Sequence, residues 1–275
     1  MTFILNEIID MHIHTKPDVQ PRLLNDIQAA QQAKEAGMRA ILIKSHVVVT
    51  SDRAAIAENI VGGIRVFGGL ALNYAVGGFN PEAVDAAIQM GAKEIWMPTR
   101  DAMNMYHHAR KDGGLSIFQE DGSINPAIPI ILEQINQADI ILASGHLSVK
   151  ESVALIQIAK NMGLRKIVIT HPEAEFIAMP VPIQQELSRS GVYFERCFVD
   201  TTPMMHYATS VEEIGQHICE VGIHSTILST DLGQAGNPSP VEGMAFYLES
   251  LLKYGYSEND IYKMASQNPA NLLEL

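Results

Sequence analysis

The chain has 275 residues, a formal net charge of −12 and a hydrophobic fraction of 47%. That length suits one large domain or two small ones, and single α/β barrels occupy this size. The acidic balance argues against nucleic acid and anionic membranes as main partners, since both are gripped by basic patches, and no apolar run reaches the roughly 18 residues of a membrane span. The opening Met1-Thr2-Phe3-Ile4-Leu5-Asn6-Glu7 lacks a basic n-region and a small-residue cleavage site, so no signal peptide is expected. Cys197 and Cys219 form no CxxC, and two buried reduced thiols in a cytoplasmic protein is the expectation.

In chain order, Ile8 to Thr15 reads as a strand. Side chains alternate along a strand, so Asp10, His12 and His14 are expected on one face. Two imidazoles at a strand end can clamp a divalent metal; otherwise they are solvent-facing histidines. Leu23 to Gly37 has helical spacing and a glycine stop. Arg39 to His46 is the second strand, and Ser51-Asp52 is the expected cap of a helix over Arg53 to Val61. Arg65 to Asn73 is the third strand, Pro81 opens a helix, and Glu94 to Thr99 is the fourth strand.

Arg100 to Asn125 breaks the rhythm. Its Asp112-Gly113-Gly114 and Asp121-Gly122 are turn signals, so a long loop, with room for a hairpin, is expected over one end of the fold. A helix over Pro126 to Ala138 follows. Strand and helix then alternate: Asp139–Gly145, Val149–Gly163, Lys166–Thr170, Pro182–Ser190, Val192–Asp200, Val211–Val221 and Thr226–Thr230, with a last large helix around Met244 to Leu252. Strand ends fall near residues 14, 46, 73, 99, 146, 171, 200 and 231, about 25–32 residues apart except across the loop. Eight βα units predict a parallel (β/α)8 TIM barrel in one domain, 1–275, with residues 100–125 as an insertion over the active-site face. An open doubly wound sheet would carry a glycine-rich phosphate loop, and Gly62-Gly63, Gly68-Gly69 and Gly77-Gly78 all lack that context.

Barrel active sites sit where the strands end. The residues there are His12, His14, Lys44, His46, Thr99, Arg100, His146, His171, Asp200 and Asp231, with His107, His108 and His206 in loops of the same face. His217 and His224 read as surface groups. A single histidine at a strand end is unremarkable; four histidine-bearing ends and an aspartate are hard to explain without a metal.

The chain resembles the amidohydrolase superfamily of metal-dependent hydrolases, on Asp10-x-His12-x-His14, Gly145-His146, Thr170-His171-Pro172, Ser229-Thr230-Asp231 and the tail Asn268-Pro269-Ala270-Asn271-Leu272-Leu273. Within it, the chain most resembles a subgroup with Lys-Ser-His after the second strand, here Lys44-Ser45-His46. The resemblance implies that His12, His14, His146, His171 and Asp231 hold one or two divalent ions, Zn²⁺ foremost, with Mn²⁺, Fe²⁺ and Co²⁺ as alternatives. Asp231 would be general base and acid. His171 would be a ligand or would hydrogen-bond the attacking water. Asp10 would orient a ligand histidine or pair with Lys44. Two-metal members carry a bridging carboxylated lysine or glutamate at the end of the fourth strand; here that end reads Trp96-Met97-Pro98-Thr99-Arg100, and neither Asp101 nor Glu120 fits the motif. Lys44 is therefore read as a catalytic or substrate-gripping cation, with carboxylation as the other option. His46, Arg100 and His206 are further candidate substrate contacts, and Lys44, Arg100 and Arg196 hint at an anionic small-molecule substrate. Phosphoesterases of the polymerase-and-histidinol-phosphatase type share the Asp-x-His-x-His-Thr opening, but they close with Asp-x-His and form seven-stranded barrels. A non-catalytic metal-binding barrel is the alternative outside the enzymes. Apolar outer helix faces allow a homo-oligomer.

Overall fold

The computed structural model describes residues 4–275. Its elements run β1 (Ile9–His14), α1 (Asp26–Glu35), β2 (Ala40–Lys44), α2 (Ser51–Val61), β3 (Arg65–Ala71), α3 (Pro81–Gln89), β4 (Glu94–Trp96), α4 (Met103–His108), α5 (Ala127–Gln137), β5 (Ile141–Ala143), α6 (Val149–Asn161), β6 (Ile167–Thr170), α7 (Val181–Arg189), β7 (Tyr193–Cys197), α8 (Val211–Val221), β8 (Thr226–Ser229), α9 (Pro240–Tyr254), α10 (Glu258–Tyr262) and α11 (Asn268–Leu273). The strands pair in parallel in sequence order. The ring closes beyond β8, where the Asp231 N–H donates to the His12 carbonyl at 2.8 Å and the His14 N–H donates to the Leu232 carbonyl at 2.7 Å. This is the (β/α)8 barrel that the strand spacing predicts.

Alternation explains the core. Ile9, Met11, Leu42, Phe67, Trp96, Val168 and Ile227 fill the barrel, and Ala270, Leu272 and Leu273 of α11 pack onto the same cluster. The Asn268 amide donates to the Ile223 and Thr226 carbonyls at the start of β8, so α11 plugs the N-terminal end of the barrel. Outward residues such as Ile41, Ile43, Ile95 and Phe194 pack under the helices. The open C-terminal end is left for polar side chains.

The observed strands are shorter than the apolar runs predict, above all β4, β5 and β7. Their last residues leave the ladder to present side chains at the barrel mouth; Phe198–Thr201, for example, is a 3₁₀ turn rather than strand. Helix α1 starts three residues later than its apolar pattern suggests, because Asn25 forms a capping box with Gln28. The cap of α2 is Thr50, not Ser51-Asp52, and it caps nothing with its side chain. Its buried hydroxyl instead donates to the Ile43 carbonyl at 2.6 Å and accepts from the Gly69 N–H at 2.9 Å, stitching β2 to β3. Thr50→Val keeps the shape and strands both backbone groups, so a loss of about 1–3 kcal/mol is expected in chemical denaturation.

Residues 100–125 are not a plain loop. They contain α4, and Phe118 bridges Ile124 across the Asp121-Gly122 turn as a minimal hairpin. The Glu151 side chain of α6 accepts from the Ser116 hydroxyl and the Ile117 N–H, pinning the segment.

Candidate metal centre

The site starts at a defect in β1. Ile9 and Asp10 pair with Ala40 and Ile41, while Ile13 and His14 pair with Ile43 and Lys44, so β1 carries one extra residue between Asp10 and Ile13. This is a β-bulge, and it changes which side chains share a face. His12 and His14 both point into the barrel mouth. Asp10 pairs with outward-facing Ile41, which overturns the expectation of one face for all three. Its carboxylate accepts from the His12 N–H at 3.2 Å, the Thr230 N–H at 3.0 Å and the Thr230 hydroxyl at 2.6 Å. Asp10 thus orients neither a ligand imidazole nor Lys44; it ties the bulge to the end of β8. Burial pushes its carboxyl up to about 7, with these hydrogen bonds pulling the other way.

The tie places Asp231 against the histidines. Its Oδ1 lies 3.1 Å from His12 Nε2 and 2.8 Å from His14 Nε2, and its Oδ2 lies 3.2 Å from His171 Nε2. Both His171 and Asp231 adopt left-handed backbone, at φ 55° and 50°, a conformation rare outside glycine, asparagine and aspartate. Two glycines make room beside them. A Cβ on Gly145 would collide with the Met97 carbonyl, and one on Gly233 with the His14 carbonyl.

Two carboxylates behind the imidazoles fix their tautomers. His12 Nδ1–H donates to Glu195 Oε2 at 3.3 Å, and His171 Nδ1–H donates to Asp200 Oδ2 at 3.0 Å. Each bond leaves Nε2 aimed at Asp231, as in carboxylate–histidine–metal arrangements. Burial alone would raise Asp231, but the His12 charge and hydrogen bonds from His12, His14 and His171 hold it well below the usual carboxylate range. Burial pushes His14 down to about 3, and His46 and His146 well below the usual imidazole range. His171 goes the other way: burial lowers it, yet Asp200, then Asp231, outweigh that and push it up to about 10.

His12, His14 and Asp231 have ligand atoms within 4.8 Å of one another, and so do His12, His171 and Cys197. The buried His14 Nδ1 and both nitrogens of His146 lack hydrogen-bond partners, and Asp231 Oδ1 meets only the His12 and His14 Nε2 atoms. Buried polar atoms left so are costly. Imidazole nitrogens with a carboxylate, converging and unsatisfied, fit a divalent transition metal. His146 belongs to neither close set, though its ring centroid is 5.4 Å from that of His171.

The other candidates separate. His46 stacks on His14 with ring centroids 4.8 Å apart, and its Nδ1 is 2.8 Å from the Thr99 hydroxyl, whose oxygen accepts from the Asn73 amide and whose hydrogen is thereby left for His46. Lys44 is buried beneath the histidines, 5.0 Å over the Trp96 ring, with no hydrogen-bond partner for Nζ. Burial lowers its pKa. It does not line the cavity at the barrel mouth, a space of about 230 Å³ that His14, His46, Arg100, His146, His171 and Asp231 do line. His206 is absent from that lining too; its ring packs on Tyr207 while its N–H donates to Glu175. Arg196 faces outward, ion-paired with Glu173 and donating to Gln184, so it is structural. Asp101 accepts from the Tyr74 N–H and Glu120 is exposed, so neither supplies the missing fourth-strand carboxylate.

Sequence reasoning missed Glu195, Cys197 and Arg22. The first two follow from alternation in β7, where a charged residue in an apolar strand is itself a signal. Arg22 lies in the loop after β1 and had none.

The fold is shared with known metal-dependent hydrolases. An amidohydrolase from Pseudomonas aeruginosa superposes with a TM-score of 0.68 at 13% identity, over 98% of this chain and 96% of that one. A phosphotriesterase homology protein from Escherichia coli, complexed with phosphate in its active site, gives 0.62 at 12%, over 98% and 100%. The probable dipeptidase PvdM from Pseudomonas aeruginosa gives 0.64 at 11%, over 97% and 94%. At these identities the likeness establishes the barrel. No curated protein sequence matches the chain. Residues 7–195 match a sequence-family model described as "Family of unknown function (DUF6282)", a span that takes in β1 to most of β7, and the chain belongs to that family.

Proposed function

We propose that the protein is a metal-dependent hydrolase that attacks a carbonyl (amide, lactone or ester) or phosphoryl centre of a small molecule. The observation that carries this reading is the convergence of His12, His14 and His171 Nε2 on the Asp231 carboxylate. His12, His14 and Asp231, with His146 and His171, would hold a divalent ion, Zn²⁺ by the nitrogen-rich donor set. Such an ion lowers the pKa of water to near 7 and so makes hydroxide available at neutral pH.

Asp231 is kept ionised by its three histidines, and its side chain retains 14% exposure at the cavity. It is placed to take the proton of the attacking water and return it to the leaving group. His171 either completes the ligand set or donates from Nε2 to that water. His46 accepts from Thr99 at Nδ1, which leaves an Nε2–H for a substrate oxygen. Arg100 stands at the cavity wall and Met105 and His108 of α4 cover it, consistent with residues 100–125 forming part of the mouth of a single barrel domain. Lys44 serves this reading from below, as a cation that biases the charge of Glu195 and Asp231. The eight strands favour this assignment over the seven-stranded phosphoesterases.

Among the described residues no helix is long and apolar enough to cross a membrane. The free thiols support a cytoplasmic setting, Cys197 buried as expected and Cys219 exposed where a buried thiol was expected; exposed Ile56 and Ile60 on α2 offer a surface for self-association.

Purified protein is expected to carry one or two transition-metal ions per chain by elemental analysis. A panel of esters, lactones, amides and phosphomonoesters should reveal turnover that chelation removes and Zn²⁺ restores. Protein that neither holds nor accepts metal would overturn the hydrolase reading. Metal without turnover across the panel would favour the non-catalytic barrel.

A further inference from the structure

The charged groups around the cavity differ in how fully they are paired. Its carboxylates are engaged: Asp231 with the three histidines, Asp200 with His171, and Glu175 with the N–H groups of His206 and Tyr207. Its guanidinium groups are engaged only in part. Arg22 is buried, 6% exposed, and lines the cavity. Its Nε donates to Asp18 at 3.0 Å, while its buried Nη2 has no hydrogen-bond partner. Arg100, on the same cavity, makes no hydrogen bond or ion pair among the described residues. A buried guanidinium donor left open is expensive unless something in the cavity accepts from it.

Arg22 is also held still. Leu23 N–H donates to the Gly233 carbonyl at 2.8 Å, Lys16 N–H donates to the Leu24 carbonyl at 2.8 Å, and Arg22 bridges Gln234. Arg53 ties the two ends of the same loop, by a two-pronged contact with Asp26 at 2.8 Å on each prong and by donating to the Thr15 and Pro17 carbonyls. The fork is thus fixed in place beside Asp231 and the segment that follows it, which lowers the entropy cost of gripping a planar anion. Phe176, Met105, Met204 and Met205 give the same cavity an apolar lining.

The geometry points to an oxyanion subsite in which Arg22, aided by Arg100, holds a carboxylate or phosphate group of the substrate. The substrate is then a small organic acid with an apolar portion, sized for about 230 Å³. This deepens the hydrolase reading and rests on it for the identity of the substrate; the anion site itself stands on Arg22. It also reassigns the anion contact, from Lys44 and Arg196 to a loop residue.

Calorimetric titration with benzoate, phenylphosphonate and neutral benzamide tests it, on protein both Zn²⁺-loaded and chelator-treated. Benzoate or phenylphosphonate should bind at least about tenfold tighter than benzamide in both forms, and the tighter of the two names the oxyanion. Arg22→Gln should weaken that anion about tenfold or more without changing metal content, Arg22→Lys should fall between, and Arg100→Gln should cost about threefold. Equal binding of benzoate, phenylphosphonate and benzamide, or wild-type anion affinity in Arg22→Gln, would overturn the subsite. Should Arg22→Gln fail to fold, wild-type affinity in both Arg22→Lys and Arg100→Gln has the same force. Anion binding that depends on Arg22 in a protein that takes no metal would keep the subsite and remove the hydrolase; metal and turnover with binding indifferent to Arg22 would do the reverse.

Discussion

Asp231→Asn is expected to leave the barrel folded and to cut turnover by about 10³-fold or more. Asparagine has the same shape and tolerates the left-handed backbone at φ 50°, so the ring closure through the Asp231 N–H survives. The charge does not. Oδ1 sits between His12 and His14 and Oδ2 faces His171, so one carboxylate meets all three imidazoles. An amide offers an N–H₂ to one of these positions, where a ligand nitrogen or a substrate proton is to be met. Loss of a general base alone costs roughly 10²–10⁴ in rate, and a lost ligand adds to it. The measurement is kcat on whichever panel substrate the wild type cleaves, with metal content and circular dichroism recorded beside it. A fully metal-loaded Asp231→Asn within tenfold of wild-type kcat would remove Asp231 from the base role.

The barrel was legible because it is written in spacing: eight apolar runs, each followed by an amphipathic stretch, leave few alternatives. The histidines and Asp231 were legible because strand ends are where such a fold puts its chemistry. Asp10 was not. Alternation assigns it to the face of His12 and His14, and only the pairing of β1 with β2 reveals the extra residue that turns it outward. A bulge is a property of two strands, so one strand's sequence does not declare it. Lys44 was misplaced for a related reason. It was known to end β2, but its height relative to His12 depends on barrel stagger, and it lies under the imidazoles on Trp96. Arg196 is one residue out of phase with inward Glu195, so alternation turns it away from the substrate. Arg22 had no periodic element around it. Its position comes from backbone bonds to Leu24's and Gly233's segments, which are long-range facts.

Metal loading is expected to release about one proton per chain at pH 7.5, and affinity for Zn²⁺ is expected to rise about tenfold per pH unit between about 7 and 9. The proton comes from His171. Its imidazole, pushed up to about 10 by Asp200 and Asp231 against the effect of burial, is protonated at neutral pH and must lose that proton to serve as a ligand. The sign follows: a group raised in the metal-free fold opposes metal at low pH, and its opposition fades as pH climbs toward the folded value. His14, pushed down to about 3, and His46 and His146, held well below the usual range, are already neutral and release nothing. One titrating ligand therefore sets a slope of one, about 1.4 kcal/mol per pH unit. Calorimetry in buffers of different ionisation heat counts the proton, and chelator-buffered Zn²⁺ gives the affinity. Asp200→Asn is the discriminating variant, because it keeps every candidate ligand and removes the main charge that holds His171 protonated. It should shrink the proton release at pH 7.5 and flatten the slope between 7 and 9. A wild-type affinity independent of pH across that window would mean that His171 stays protonated in the loaded site. That would leave it as the hydrogen-bond donor to water, with the metal held by His12, His14, His146 and Asp231.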